Sequence, residues 1–370
     1  MRVSSFSLQP FDIIDKYRVI KQVADGGFGC VYLVRENGSN QPYAMKISKT
    51  CGHNTQIDIE YSVMKQIQGS IYFPKFYAYG KFEKESIIYF YIVMELLGPS
   101  LSRLKKSLPN CKYSLSTALR LGMEMVCMLR EFHSRGFVHR DIKPSNFLVR
   151  KDSPTPLCLI DFGLTKRFLD PATGKPHVQL NVNSFIGTSK YSSINAHKKM
   201  DLGPSDDMIM WFHSLIEMID GTLPWNNVSN KDSILKMKES ISPEELCKNL
   251  PKQLLSIYTE LLKLSYEDIP DYDMILLELS DAMRDTGANS TEPYDWCKLS
   301  ETEQNSIFQL PQNRRTSDIF DLNQTQVHLT NFSNNEDQNE TLLLGEDDNS
   351  DKKFNLKAYT KKLFHCCNII

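Results

Sequence analysis

The sequence predicts an α+β chain of two unequal lobes, a strand-rich one over about residues 11–97 and a helix-rich one over about 98–300, followed by a tail with no fold of its own. Three observations predict it. Short β-branched and aromatic runs broken by turn residues fill the first hundred positions. Apolar residues at helical spacing take over from about position 114. Beyond Ser300 the composition changes: residues 301–350 hold eight Asn and six Gln but one Pro and one Gly, with no sustained apolar period.

Each element follows from local pattern. The runs 17–23, 30–34 and 42–47 read as strands, with Gly26 and Gly27 making the turn between the first two. Ile57, Val63, Met64 and Ile67 fall at helical spacing within 55–69, and Gly69 is a stop. The nearly unbroken apolar run 86–94 reads as a strand covered on both faces. Ser114 caps a helix whose Leu121, Met125, Met128 and Phe132 line one face. Further helical stretches fall at about 206–220, 251–264 and 271–283, and Gly98-Pro99-Ser100 stands near the joint between the lobes.

Composition excludes several classes of function. The 370 residues carry 43 basic and 45 acidic side chains, so the chain is no broadly basic nucleic-acid binder. The balance is uneven: residues 301–351 hold 11 acids and two bases, and residues 352–370 five lysines and no acid. The acidic stretch buries too little apolar surface to offset chain entropy and is expected to be a disordered linker. Nine cysteines, an odd number with no C-x-x-C pair, predict a reduced cytoplasmic protein. The N-terminal residues lack an apolar signal core, and the longest apolar run, 87–94, is far short of the ~20 residues that span a bilayer.

The chemistry sits in four places. Residues 24–32 place Gly26, Gly27 and Gly29 around Phe28 between two strands, where bare backbone can approach a phosphate; a plain hairpin turn accounts for the same residues. Lys46 lies in an apolar strand, costly to bury unless paired, and Glu60 in the next helix is a candidate partner; two solvated side chains are the alternative. Residues 139–146, His-Arg-Asp-Ile-Lys-Pro-Ser-Asn, fit H-R-D-x-x-x-x-N, and Asp161-Phe162-Gly163 follows fifteen residues after Asn146. In this order and spacing the set resembles the protein kinases. The resemblance implies ATP and Mg²⁺ in a cleft between the lobes, with Asp161 and Asn146 as metal ligands and Lys46 on the phosphates, oriented by Glu60. Asp141 would accept or orient the substrate hydroxyl proton, and Lys143 would reach the transferring phosphate, as in serine/threonine kinases.

Further strings narrow the resemblance. Met94-Glu95-Leu96-Leu97-Gly98-Pro99-Ser100, the run 187–195 (Gly-Thr-Ser-Lys-Tyr-Ser-Ser-Ile-Asn) and Leu223-Pro224-Trp225 are similar to the casein kinase 1 superfamily, where Ser-Ile-Asn stands in place of Ala-Pro-Glu. Residues 293–296 and 185–199 lean toward its tau-tubulin kinase branch. The resemblance implies that Val23, Val31 and Ala44 roof the adenine, that Leu148 and Ile160 lie below it, and that Met94 is the gatekeeper. Glu95 to Leu97 would be the hinge, and Asp207 would brace the catalytic loop. The sequence departs from the pattern at Ala24, which stands at the first glycine of the loop, and at Lys190, usually arginine. Cys30 reads as a small apolar residue, with a redox or modification site as the alternative. A scaffold that binds partners without transferring phosphate and a small-molecule kinase of the same fold are the rival readings.

Between Leu164 and Met200 there are six basic residues and one acid, Asp170. That field favours protein substrates with Ser or Thr near acidic or phosphorylated residues, with Lys190, Lys198 and Lys199 as docking cations. Relatives generally do not require phosphorylation at Ser184 or Thr188. A monomer that binds no nucleic acid is expected. The end of the chain, Cys367-Asn368-Ile369-Ile370, fits a prenylation pattern. Cys366 is a second lipidation candidate, and the five lysines favour an anionic membrane, so peripheral membrane association is expected.

Overall fold

The computed structural model describes residues 7–25, 29–48, 56–150 and 156–309. Its first lobe is one antiparallel sheet: β1 (Ile13–Ile14), β2 (Tyr17–Asp25), β3 (Gly29–Glu36), β4 (Pro42–Ser48), β5 (Phe76–Lys84) and β6 (Ile87–Glu95), in the order β1-β2-β3-β4-β6-β5. Successive side chains alternate between its two faces. Cys30, Tyr32 and Val34 of β3 join Tyr43, Met45 and Ile47 of β4 and Tyr91 and Val93 of β6 in an outer cluster. Val31, Ala44, Ile92 and Met94 face the other way and pack with α1 (Gln56–Gln66) through Ile57, Val63 and Met64. Lys46 lies on this inner face, paired in register with Ile92. Alternation therefore decides that Lys46 turns to the interlobe cleft and Cys30 away from it.

The second lobe is built around α3 (Leu115–Ser134). The chain reaches it through α2 (Leu101–Ser107), and the Ser114 hydroxyl accepts from Thr117 N at 3.2 Å to start it. Leu121, Met125, Met128 and Phe132 are fully buried, as their spacing predicts. Two small ribbons follow, pairing β7 (Phe137–Val138) with β10 (Lys166–Arg167) and β8 (Phe147–Val149) with β9 (Leu157–Leu159). Then come α4 (Ile194–His197), α5 (Pro204–Asp220), α6 (Lys231–Ser240), α7 (Pro243–Leu246), α8 (Lys252–Leu261), α9 (Tyr272–Thr286) and α10 (Glu301–Phe308). α5 is buried on nearly every side, with Trp211, Phe212, Leu215 and Met218 inside. Trp211 Nε1 donates to Gly122 O of α3 at 3.0 Å.

Residues 301–308 correct one expectation. They lie in the stretch read as linker, yet they form α10. Ser300 and Glu303 make a reciprocal capping box, Ile307 is buried, and Arg103 Nη2 donates to Ser306 O at 3.3 Å and Gln309 O at 3.0 Å. The packed structure thus runs past position 300. The remainder of the acidic stretch, the lysine-rich end, and Cys366 and Cys367 lie outside the described residues, as do Gly26, Gly27 and Phe28. Among the described residues no helix is long and apolar enough to cross a membrane.

Candidate active site

The cleft is charged at its centre. Lys46 Nζ lies 2.5 Å from Glu60 Oε2 and 2.8 Å from Asp161 Oδ1, so β4, α1 and the turn after β9 meet on one ammonium. Burial works against that charge, but the carboxylates of Asp161 and Glu60 outweigh it and raise the Lys46 pKa. Burial likewise opposes the Asp161 carboxylate; Lys46 overrides it and lowers the pKa. Phe162, next to Asp161, is fully buried against Phe132 and His139, with ring centroids 5.6 and 5.7 Å apart. That packing holds Asp161 in the left-handed region at φ 69°, a conformation costly to a residue with a Cβ.

The loop 139–146 is held from below. Asp207, fully buried near the start of α5, accepts from His139 N at 2.7 Å and Arg140 N at 2.8 Å. His133 Nε2 also lies 2.9 Å from it. Burial raises the Asp207 pKa, but the His133 bond and its charge overcome that and keep it low. Arg140, like Asp161, is in the left-handed region, at φ 69°. Above this brace Asp141 Oδ1 accepts from Thr188 Oγ1 at 2.7 Å, and Lys143 Nζ donates to the same hydroxyl at 2.8 Å. Lys143 Nζ also lies 2.8 Å from Asp141 Oδ2. Gly187, at φ 96°, makes room for the contact: a Cβ there would meet Arg140 O at 2.6 Å.

Asn146 donates its Nδ2 to Asp141 O at 2.8 Å, and its buried Oδ1 has no protein partner among the described residues. Ile160 N donates to Asn146 O at 3.0 Å, one residue before Asp161, and a neutral amide oxygen together with a carboxylate fits a hard divalent cation. Around the cleft Val23, Val31, Leu148 and Ile160 are half-buried, whereas Ala44 and Met94 are buried. The Leu97 N–H has no protein partner among the described residues, as adenine recognition by the hinge requires. Gly29 has a packing reason of its own, since a Cβ there would lie 2.3 Å from Ile47 O.

A protein kinase domain model matches residues 17–273. A probable casein kinase I homologue of Encephalitozoon cuniculi is 36% identical over 289 residues, which covers 76% of this chain and 94% of that relative. The chain belongs to the casein kinase 1 superfamily of protein kinases. A serine/threonine-protein kinase of Caenorhabditis elegans, spe-6, is 32% identical over 302 residues, 79% of this chain and 78% of its own. A probable serine/threonine-protein kinase of Dictyostelium discoideum is 35% identical over 283 residues, 76% of this chain; the match spans just over half, 56%, of that longer relative.

The kinase departs from the expected docking cations. Lys190 is no open anion receptor: its Nζ lies 2.9 Å from Glu217 Oε1, which also holds Lys105 Nζ at 2.6 Å. The Tyr191 hydroxyl donates to the other oxygen, Oε2, at 2.6 Å. Lys198 pairs with Glu239 at 2.8 Å, though half exposed. Lys199 is exposed and has no ion pair with a described residue. Cys30 is buried on the outer face of the sheet, which removes the reason to read it as a reactive thiol beside the phosphates. Glu95 donates its backbone N–H to Lys75 O at 2.9 Å, and its side chain is taken by Arg150.

Several site residues escaped sequence reasoning. Asp201, essentially buried, faces Arg140 and Lys166. Glu217 anchors Lys190. Lys238 reaches the segment after Gly187. Only Lys238 had a legible signal, because it shares a helix face with Ile234 and Ile241, where an apolar residue is expected.

Proposed function

We propose that this serine/threonine kinase passes the γ-phosphoryl group of ATP, bound with Mg²⁺, to hydroxyls that lie beside acidic or already phosphorylated residues. The observation that carries the transfer is the junction of Asp141, Lys143 and Thr188. Asp141 is a buried carboxylate whose Oδ1 accepts from the Thr188 hydroxyl and whose Oδ2 faces Lys143, a group suited to orient the acceptor hydroxyl and take its proton. Lys143 supplies positive charge beside it for the transferring phosphoryl group. Lys46 fits the α- and β-phosphates, held in place by Glu60. Asn146 and Asp161 would hold Mg²⁺, which supplies charge neutralisation at the phosphates. The full set, Lys46, Glu60, Asp141, Asn146 and Asp161, argues against a scaffold without transfer.

Acid-directed choice of site is supported by residues 164–200, where Lys175, Lys198 and Lys199 are exposed and Asp170 is the one acid. Membrane association rests on Cys366, Cys367 and the five lysines beside them. Transfer from labelled ATP to casein, with Asp161→Asn as control, tests the reaction. Equal rates for the two proteins would end this reading. Lys175→Glu/Lys199→Glu is expected to slow acidic peptides more than neutral ones, and Cys367→Ser to release the protein from membranes.

A further inference from the structure

The backbone that follows Gly187 is held by side chains at every step. Thr188 O accepts from the Ser192 hydroxyl at 2.8 Å. Ser189 O meets Lys238 Nζ at 2.9 Å and His197 Nε2 at 3.2 Å. Lys190 O accepts from Trp225 Nε1 at 2.7 Å, and Tyr191 O lies 2.7 Å from His213 Nδ1. Ser192 O accepts from Lys238 Nζ at 2.6 Å. Five consecutive carbonyls are thus fixed, and Lys238 alone holds two of them.

Lys238 is an unusual choice for that task. It is 6% exposed, its Nζ lies 4.9 Å from the Trp225 ring centre, and it has no carboxylate partner among the described residues. A buried amine without a counter-charge is costly. A methionine would fill the same space at less cost but would leave two carbonyls unsatisfied. Burial also drives its pKa well down. One residue before Ser189 stands Thr188, whose hydroxyl bonds both Asp141 and Lys143. A single short segment therefore joins Lys238 to the catalytic carboxylate.

We infer that Lys238 is a positioning residue for the acceptor peptide: it sets the backbone of residues 188–192 against Asp141 and so fixes where the peptide lies, independently of the peptide's charge. The inference rests on the proposed transfer reaction and deepens it. Lys238→Met is expected to raise KM for acceptor peptides at least tenfold, equally for acidic and neutral ones, and to leave KM for ATP within about twofold. It is also expected to speed amide exchange across residues 188–193 at least tenfold, a readout that needs no activity. A loss confined to acidic peptides would make Lys238 an anion receptor and overturn the inference. So would unchanged exchange, or an equal rise in KM for ATP. Trp225→Phe removes one donor and keeps the ring beside Lys238. It is expected to give a smaller change in the same direction, and if Lys238→Met fails to fold, unchanged peptide KM and exchange in Trp225→Phe would overturn the inference. A wild-type protein inactive on casein would refute the transfer reading and leave the exchange result to decide this one.

Discussion

Arg150 grips Glu95 with two nitrogens, Nε at 2.8 Å from Oε1 and Nη2 at 3.1 Å from Oε2. The same guanidinium donates to Ile71 O and, at 3.3 Å, to Phe73 O. One side chain at the end of β8 thereby ties the hinge to the loop before β5. Burial raises the Glu95 pKa, but the Arg150 bonds prevail and keep the carboxylate charged. A hydrogen bond to a charged group is worth about 1.5–3 kcal/mol. Arg150→Met is therefore expected to raise KM for ATP about tenfold while KM for peptide stays unchanged. Initial-rate kinetics with each substrate varied in turn checks it; a change confined to peptide KM would contradict the hinge role.

Glu217 makes a pH prediction. Burial alone would raise its pKa, but Lys190, Lys105 and the Tyr191 hydroxyl lower it below the ordinary 4.5. A carboxylate with a depressed folded pKa contributes stability that is present above the unfolded value and lost as pH falls through the folded one. Wild type is thus expected to lose stability below about pH 4.5 more steeply than Glu217→Gln, measured by urea unfolding across pH 3–7. Lys190→Ala is expected to lower Tm and to slow acidic and neutral peptides alike, because it breaks an internal pair and removes no docking cation.

Asp201 places a buried carboxylate between Arg140 and Lys166. Its Oδ1 lies 3.9 Å from Arg140 Nη1 and accepts from Leu202 N at 3.2 Å, and its Oδ2 pairs with Lys166. The charge that Arg140 needs is built in. Phosphatase treatment and Ser184→Ala are expected to leave kcat/KM unchanged, whereas Asp201→Asn is expected to lower it about tenfold or more, since it leaves Arg140 buried and underpaired. Thr188, buried and bonded to Asp141, is expected to be absent from phosphopeptide maps of the folded kinase.

The α10 contact is testable by truncation. Ending the chain after Ser300 removes Ile307 and Phe308 from the core and uncovers Arg103. Burying an aliphatic or aromatic side chain is worth about 1.5–3 kcal/mol, so the truncated domain is expected to melt several degrees below one ending after Gln309. Equal melting temperatures would show that α10 contributes nothing.

The sequence made the fold legible where period and spacing are local properties. The β-branched runs, the stripe Leu121-Met125-Met128-Phe132 and the string 139–146 each lie within a few turns of chain. It missed β5 and the helices α2, α4, α6, α7 and α10, all of ten residues or fewer and too short to show a clear period. Of the site, Lys46, Glu60, Asp141, Asn146 and Asp161 were legible because their chemistry demands those residue types at those spacings.

What spacing could not disclose is which charges remain free. Lys190, Lys198 and Lys199 look alike along the chain, yet Glu217 lies 27 residues from the first, and Glu239 reaches the second from α6. Glu95 met Arg150 across 55 residues, and Lys46 met Asp161 across 115. Residue type and order were enough to predict the fold class, because periodicity is local, and the kinase motifs in their order and spacing pointed to serine/threonine kinase activity by resemblance. Which lysines are paired inside the fold and which stay exposed was decided by tertiary structure alone. A charge acts through its nearest neighbours, and only the folded chain chooses those.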